Sequence, residues 1–240
     1  MGLHDFYIVI TAFFSEIIGT ISGFGSSTFF VPAAQFFENF KLVLVLTAIL
    51  HTFANLSRLW IFRQSLKNQL FMKLAVPSVL LTGLGALMTN LVDTEVLQKA
   101  LGIGLMIIST AAFLKKIHLN QNSKWQATFI TAISGFLTGF IGTGGALRGA
   151  ALSLLHIEKE MYVALSSGID VGGDILRLII YLKNGFMDWQ QWHYIPLLAI
   201  AAYLGTRIGK KLLSKINQEH FNKLVAVLIF ISGIGLVLQS

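Results

Sequence analysis

Eight apolar runs follow one another along this chain, at roughly 6–36, 42–62, 70–91, 96–114, 125–156, 161–183, 191–209 and 220–239, with no hydrophilic domain or long linker between them. A helix needs about 18 residues or more to cross a hydrocarbon layer of about 30 Å, and in lipid its backbone must satisfy its own hydrogen bonds. Recurrent runs of that length predict an all-α integral membrane protein. A transmembrane barrel would show alternating stretches of about ten residues instead, and none is evident. Composition agrees: 55% of the 240 residues are hydrophobic and 12% charged, with a mean hydropathy of +0.72. The absence of cysteine excludes disulfide frameworks, thiolate nucleophiles and zinc–thiolate sites. A net charge of +7 reads as basic cytoplasmic loops rather than nucleic-acid binding. No cleavable signal peptide is expected, since the first Lys or Arg is Lys41.

The runs repeat. "GTISGFG", from Gly19, aligns with "GFLTGFIG", from Gly135, and after one extra residue Gly25 meets Gly142. Further on, "NLSRLWIF" aligns with "DILRLIIY", pairing Arg58 with Arg177, and Pro77 pairs with Pro196. "TEVLQK" then aligns with "QEHFNK". The order and slowly growing offsets predict two units, 1–118 and 119–240, within one transmembrane domain. Charge orients them. The loop after the second run is basic (Arg63, Lys67, Lys73) and the one after the third is not (Asp93, Glu95). In the second unit the order reverses: the loop with Lys183 and Asp188 is neutral, and the one with Arg207, Lys210, Lys211 and Lys215 is basic. Basic loops stay in the cytoplasm, so the repeats are expected to be inverted, with the linker carrying Lys115, Lys116 and Lys124 also inside.

Inversion requires an odd number of crossings per unit, yet each has four runs. One run per unit must therefore enter and leave on one side. The long runs 6–36 and 125–156, each with a glycine-rich break near its centre, are the candidates: two arms of about 15 residues make about 22 Å of helix each. Each unit is thus expected to be a broken or re-entrant helical hairpin followed by three transmembrane helices, in a multi-pass protein of the inner (plasma) membrane with both chain ends outside. The acidic "HIEKE" at 156–160 disagrees with its expected inside position, but acidic residues weigh little in topology. The four tryptophans, Trp60, Trp125, Trp189 and Trp192, lie near run ends as interfacial anchors do.

Broken backbone at membrane depth is tolerated where it is buried in protein or lines a cavity. Two breaks meeting near the midplane would offer free N–H groups and positive helix ends to an anion. Gly25, Ser26, Ser27 and Thr28 in the first break and Gly142, Thr143, Gly144 and Gly145 in the second are candidate substrate-binding residues, with Arg148 as a permanent cation. Tight helix packing by the glycines, with Arg148 paired to an acid, is the alternative. His51, Asn55 and Arg58 share one helix face, and Asp170, Asp174 and Arg177 repeat that spacing. Either these faces line the path, with His51, Asp170 or Asp174 carrying a coupling proton, or they hold an intrahelical Asp174–Arg177 pair and a hydrogen-bonded histidine. Glu16 is a further proton candidate, with Ala132 at the matched position.

"GTISGFGSSTFFVP" and "GFLTGFIGTGGALRG", each opening one half of a small duplicated membrane protein, resemble the TauE/SafE family, also called sulfite exporters or the toluene-sulfonate uptake permease family. The likeness in layout covers nearly the whole chain. It implies secondary transport of small sulfur-containing anions such as sulfite or organosulfonates. The family's hairpins usually carry a glycine run followed by proline. Here Pro32 is kept in the first, while Gly149 stands where the second would have proline.

The expected function is therefore an alternating-access secondary transporter for a small sulfur-containing anion, ion- or proton-coupled, with a passive anion channel as the alternative. An enzyme fits less well, because no H-E-x-x-H, no nucleophile elbow and no paired catalytic acids with a plausible metal are present. No metal or cofactor is expected. The expected partners are a small anionic substrate and membrane lipid, not nucleic acid, and a homo-oligomer stays open.

Overall fold

A computed structural model describes residues 3–65, 68–89, 99, 102–107, 110, 124–153, 155 and 157–238, most of which are helical, with no strand among them. The helices are α1 (Leu3–Ser22), α2 (Ser27–Ala34), α3 (Phe40–Phe62), α4 (Asn68–Met88), α5 (Lys124–Ile141), α6 (Gly145–Ser153), α7 (Lys159–Lys183), α8 (Tyr194–Leu213) and α9 (Gln218–Leu238). Most of the fourth apolar run lies outside the described residues, as do Lys67, Asp93, Glu95, Lys115, Lys116 and His156. By length and composition His4–Ser22, Phe40–Ser65 and Leu70–Met88 can each cross a membrane. Helix α7 is 25 residues long but carries Asp170, Asp174 and Arg177 in its middle, all buried, so its low hydropathy reflects an inward polar face.

The two long runs are broken, but not at their centres. Helix α1 has 20 residues and α2 has 8, about 30 Å against about 12 Å at 1.5 Å per residue. Helices α5 and α6, of 18 and 9 residues, repeat the asymmetry. The expectation of equal arms is corrected here: Gly19 and Gly135 belong to the long arms, and the chain turns only at Gly23–Gly25 and at Gly142. Gly25 has φ 101° and Gly142 has φ 79°, backbone that side chains with a Cβ rarely adopt. Each turn is closed by a hydrogen bond across it, from Ser26 Oγ to Glu16 Oε2 (2.8 Å) and from Ser134 Oγ to the Gly144 carbonyl (2.7 Å). The first hairpin returns beside its own start, where Phe37 stacks on Tyr7 and His4 Nδ1 lies 3.3 Å from Glu38.

Packing is reciprocal between the halves. Helix α1 runs parallel to α8, with Tyr194 Oη donating to Asp5 (2.8 Å) at one end and Gly209 against Thr20 further along. Helix α5 likewise runs parallel to α4: a Cβ on Gly135 would lie 2.3 Å from the Ser78 carbonyl, and one on Gly139 1.9 Å from that of Thr82. Helices α3 and α7 cross antiparallel, with Asn55 beside Asp174 and Leu59 beside Gly168. One apolar cluster joins Ile8, Phe30, Val45, Tyr181 and Leu198. A second joins Phe24, Phe62, Tyr162, Leu213 and Phe221.

This packing sorts the loops. Residues 3–5, 37–41 and 184–194 share one end, where Lys41 sits over the Phe186 ring. At the other end Lys210 lies over Phe62, and Lys159 donates through Nζ to the carbonyls of Leu213 and Ile216, capping the C-terminus of α8. The 157–160 stretch therefore lies at the same end as the basic 207–215 segment. The four tryptophans are exposed at helix ends.

Candidate functional site

The polar residues that share faces of α3 and α7 are buried together where the two breaks meet. Asn55 and Asp174, which the sequence alignment of the two halves pairs, touch: Asn55 Nδ2 donates to Asp174 Oδ2 at 2.6 Å. Arg58 donates to Asn55 Oδ1 (2.7 Å) and reaches back to Glu16 on α1, with Nη2 at 2.5 Å and Nε at 3.0 Å from Oε1. Arg177 mirrors it. It pairs with Asp174 (Nη2 to Oδ1 2.9 Å) and donates through Nη1 to the carbonyls of Thr138 (3.1 Å) and Gly142 (3.4 Å). Each arginine thus holds the hairpin of its own half, and the second satisfies carbonyls that the break of α5 leaves without helical partners.

Arg148, on α6, crosses between the hairpins. Its Nη2 donates to the Phe24 carbonyl in the first break (3.1 Å) and pairs with Asp170, while Nε donates to Ser166 (3.1 Å). The approach requires glycine twice. A Cβ on Gly145 would lie 2.2 Å from the Phe24 carbonyl, and one on Gly149 would lie 2.8 Å from both the Phe24 ring and Tyr162 Oη. Gly149, where proline was the family expectation, makes room for the other hairpin's phenylalanine.

Among the described residues the cluster is balanced: Arg58 with Glu16, Arg148 with Asp170, and Arg177 with Asp174. All six side chains are at most 6% exposed. Buried charges in hydrocarbon-like surroundings are tolerated only when paired in this way. The intrahelical Asp174–Arg177 pair is present, but the histidine is not hydrogen-bonded. His51 is 1% exposed, neither ring nitrogen has a partner among the described residues, and Nδ1 stands 3.8 Å from Asp174. Its ring lies against Gly25, 3.1 Å from where a Cβ would be. Thr28 Oγ1, Ser167 Oγ and Arg148 Nη1 are likewise buried without a hydrogen-bond partner among the described residues. Unused donors of this kind are costly unless something else satisfies them.

Ser27 and Thr143 are buried at the two turns, and Gly144 accepts from Ser134. Glu16 is the hub of the first hairpin: besides Arg58 it accepts from Thr20 (2.8 Å), Ser26 (2.8 Å) and Thr206 on α8 (3.0 Å). Sequence reading missed Thr20, Thr206, Ser166 and the Phe24 carbonyl. Only Ser166 left a signal, one turn before Asp170 on the same face. His51, Asp170 and Asp174 each bring a ligand atom within 4.8 Å of one another, a spacing a metal ion accepts. Both carboxylates are already held by arginines, and three guanidinium groups bear on His51, so the donor set is poor for a cation.

The model of the family described as sulfite exporter TauE/SafE matches residues 8–236. No curated protein and no solved structure matches the chain.

Proposed function

Because the chain belongs to the TauE/SafE family of membrane transporters, we propose that it carries a small sulfur-containing anion, sulfite or an organosulfonate, by alternating access, with the anion held where the two helix breaks meet. The observation that carries this reading is Arg148. It belongs to one hairpin, bonds the backbone of the other, and keeps Nη1 without a partner among the described residues. Thr28, His51 and Ser167 bring further unused donors. A tetrahedral or pyramidal oxyanion offers several acceptor oxygens to such a set, and a planar guanidinium can meet two of them at once.

The reciprocal packing of α1 on α8 and α5 on α4, and the contact between matched residues Asn55 and Asp174, support two repeats at 1–118 and 119–240. The first hairpin begins at the end shared with residues 184–194. The second begins beside α4 at the basic end, and entry from opposite sides supports an inverted arrangement of the two repeats. The basic end lies in the cytoplasm. Movement of one half against the other would open the cluster to each side in turn. His51 is the coupling residue: it takes a proton only when the entering anion offsets the three guanidinium groups that bear on it, while Glu16, Asp170 and Asp174 remain counter-ions.

The test is thermal stabilisation of the purified protein by sulfite, sulfoacetate, taurine, thiosulfate, sulfate, phosphate and small carboxylates. A ligand at 100 times its Kd stabilises by about 2.7 kcal/mol. Sulfur oxyanions are expected to shift the melting point of the wild type. Arg148→Gln combined with Asp170→Asn, which keeps the cluster neutral, is expected to abolish that shift. An equal response in this variant would refute the site, and a response confined to carboxylates would refute the substrate class.

A further inference from the structure

We infer that a groove between the C-terminal ends of α3 and α8 binds an anionic phospholipid, phosphate at its mouth and acyl chain along its floor. The groove has a volume of about 590 Å³ and is lined by Trp60, Ile61, Tyr203, Arg207, Ile208, Lys210, Lys211 and Ser214. Two kinds of surface meet there. Trp60, Tyr203 and Ile208 are exposed, and Leu204 and Leu212 continue the apolar face along α8. In a membrane such a face lies against acyl chains, with tryptophan at the level of the headgroups.

Arg207, Lys210 and Lys211 are spaced i, i+3, i+4, so they share one side of the last turns of α8. None of the three is ion-paired among the described residues. Arg207 donates to Tyr203 Oη (2.9 Å) and lies over that ring, and Lys210 lies over the ring of Phe62. Both aromatic contacts leave charge and donors free while fixing the stems against apolar surface. Three cations lining an otherwise apolar groove complement a headgroup with net negative charge joined to a hydrocarbon chain. A zwitterionic headgroup brings its own cation and loses most of the attraction. The C-terminal carbonyls of α8 add negative potential at the same end, so these cations are also placed where the helix favours them. The assignment does not depend on the transport site, which shares none of these residues.

The experiment uses the full chain, purified and delipidated in a neutral detergent. It is titrated separately with short-chain phosphatidylglycerol, short-chain phosphatidylcholine and inorganic phosphate, with the melting temperature as readout. One basic residue near an anionic headgroup is worth about fivefold in affinity. Phosphatidylglycerol is therefore expected to act at a concentration at least tenfold below phosphatidylcholine, and inorganic phosphate to give no comparable shift. The variant Arg207→Gln/Lys210→Gln/Lys211→Gln, altered only at the surface, is expected to lose the preference between the two lipids. Arg207→Lys, which keeps the charge, is expected to retain it, and Trp60→Ala to weaken both lipids. Equal responses to the two lipids, a preference that survives the triple substitution, or a matching response to inorganic phosphate would each overturn the assignment.

Discussion

Replacing Glu16 by Gln tests whether the buried cluster is an electrostatic unit. Thr20 and Thr206 donate to Oε1 of the native carboxylate and Ser26 to Oε2, at 2.8–3.0 Å; the glutamine oxygen keeps the first two, and its NH2 meets the Ser26 hydroxyl, which can turn to accept. What is lost is the charge opposite Arg58, whose Nη2 stands 2.5 Å from Oε1 and whose side chain is 1% exposed. Breaking a buried pair from one side costs about 3–5 kcal/mol, because the remaining ion has neither water nor a partner. At about 2–4 °C per kcal/mol for a chain of this size, the melting temperature is expected to fall by about 6–20 °C. Neutralising both residues, as Glu16→Gln/Arg58→Gln, removes the stranded charge and is expected to recover most of that loss. Thermal unfolding in detergent of the wild type, both single variants and the double variant closes the cycle. A coupling energy of about 2 kcal/mol or more is expected between the two sites, and values below about 0.5 kcal/mol are what independent sites give. If Glu16→Gln costs less than about 1 kcal/mol, or the double variant is as unstable as the sum of the singles, the cluster is not a set of mutually dependent ions.

Three further outcomes follow from the same geometry. Gly145→Ala places a methyl group 2.2 Å from the Phe24 carbonyl, so the hairpins must separate. Stabilisation by a sulfur oxyanion is expected to weaken at least tenfold, and an unchanged response would show that the contact between breaks is not part of the site. The chain has no cysteine, so Gln64→Cys, Lys215→Cys and Asn184→Cys can each be labelled alone in sealed vesicles. The first two should react from one side and the third from the other; labelling of all three from one side would defeat the inverted arrangement. In proteoliposomes, a pH gradient should drive accumulation of an organosulfonate, which stays ionised throughout. His51→Gln should retain flux down the substrate gradient but lose accumulation, and a variant that still accumulates would remove His51 from the coupling step.

How much of this was legible in the sequence depended on whether the signal was local. The spacing His51, Asn55, Arg58 and its repeat Asp170, Asp174, Arg177 put each triad on one helix face, and both faces are buried as helical geometry requires. The asymmetry of the hairpins was not legible. Gly19 and Gly23 look alike in sequence, yet Gly19 stays in the helix because the returning chain packs on it: a Cβ there would lie 2.5 Å from the Ser26 nitrogen. A glycine needed for close approach and one needed for positive φ leave the same letter. Partners far apart in the chain were also hidden. Thr206 is one hydroxyl in an apolar helix, and nothing local indicates that it meets Glu16 across 190 positions. One distant pair did leave a signal, since the expected repeat aligns Asn55 with Asp174 and those two residues are in contact.

If the cluster holds the anion as proposed, its charge balance limits how that anion can be carried. Three guanidinium groups already face three carboxylates, so a bound oxyanion adds a negative charge to a buried site with none to spare. An isolated ion in such surroundings is too costly to hold without compensation. Two compensations are within reach. A proton can be taken by His51, whose ring nitrogens are unused and whose nearest carboxylate is 3.8 Å away. Alternatively, the anion can replace Asp170 at Arg148, which balances charge only when the displaced carboxylate takes up a proton. The second route does more than balance charge, because Arg148 Nη2 holds both Asp170 and the Phe24 carbonyl. An anion drawing that guanidinium toward itself would loosen the side-chain bond that, among the described residues, ties the second hairpin to the backbone of the first. Occupancy would then reach the contact between the halves through a single side chain, which is the link an alternating-access carrier needs between binding its substrate and moving.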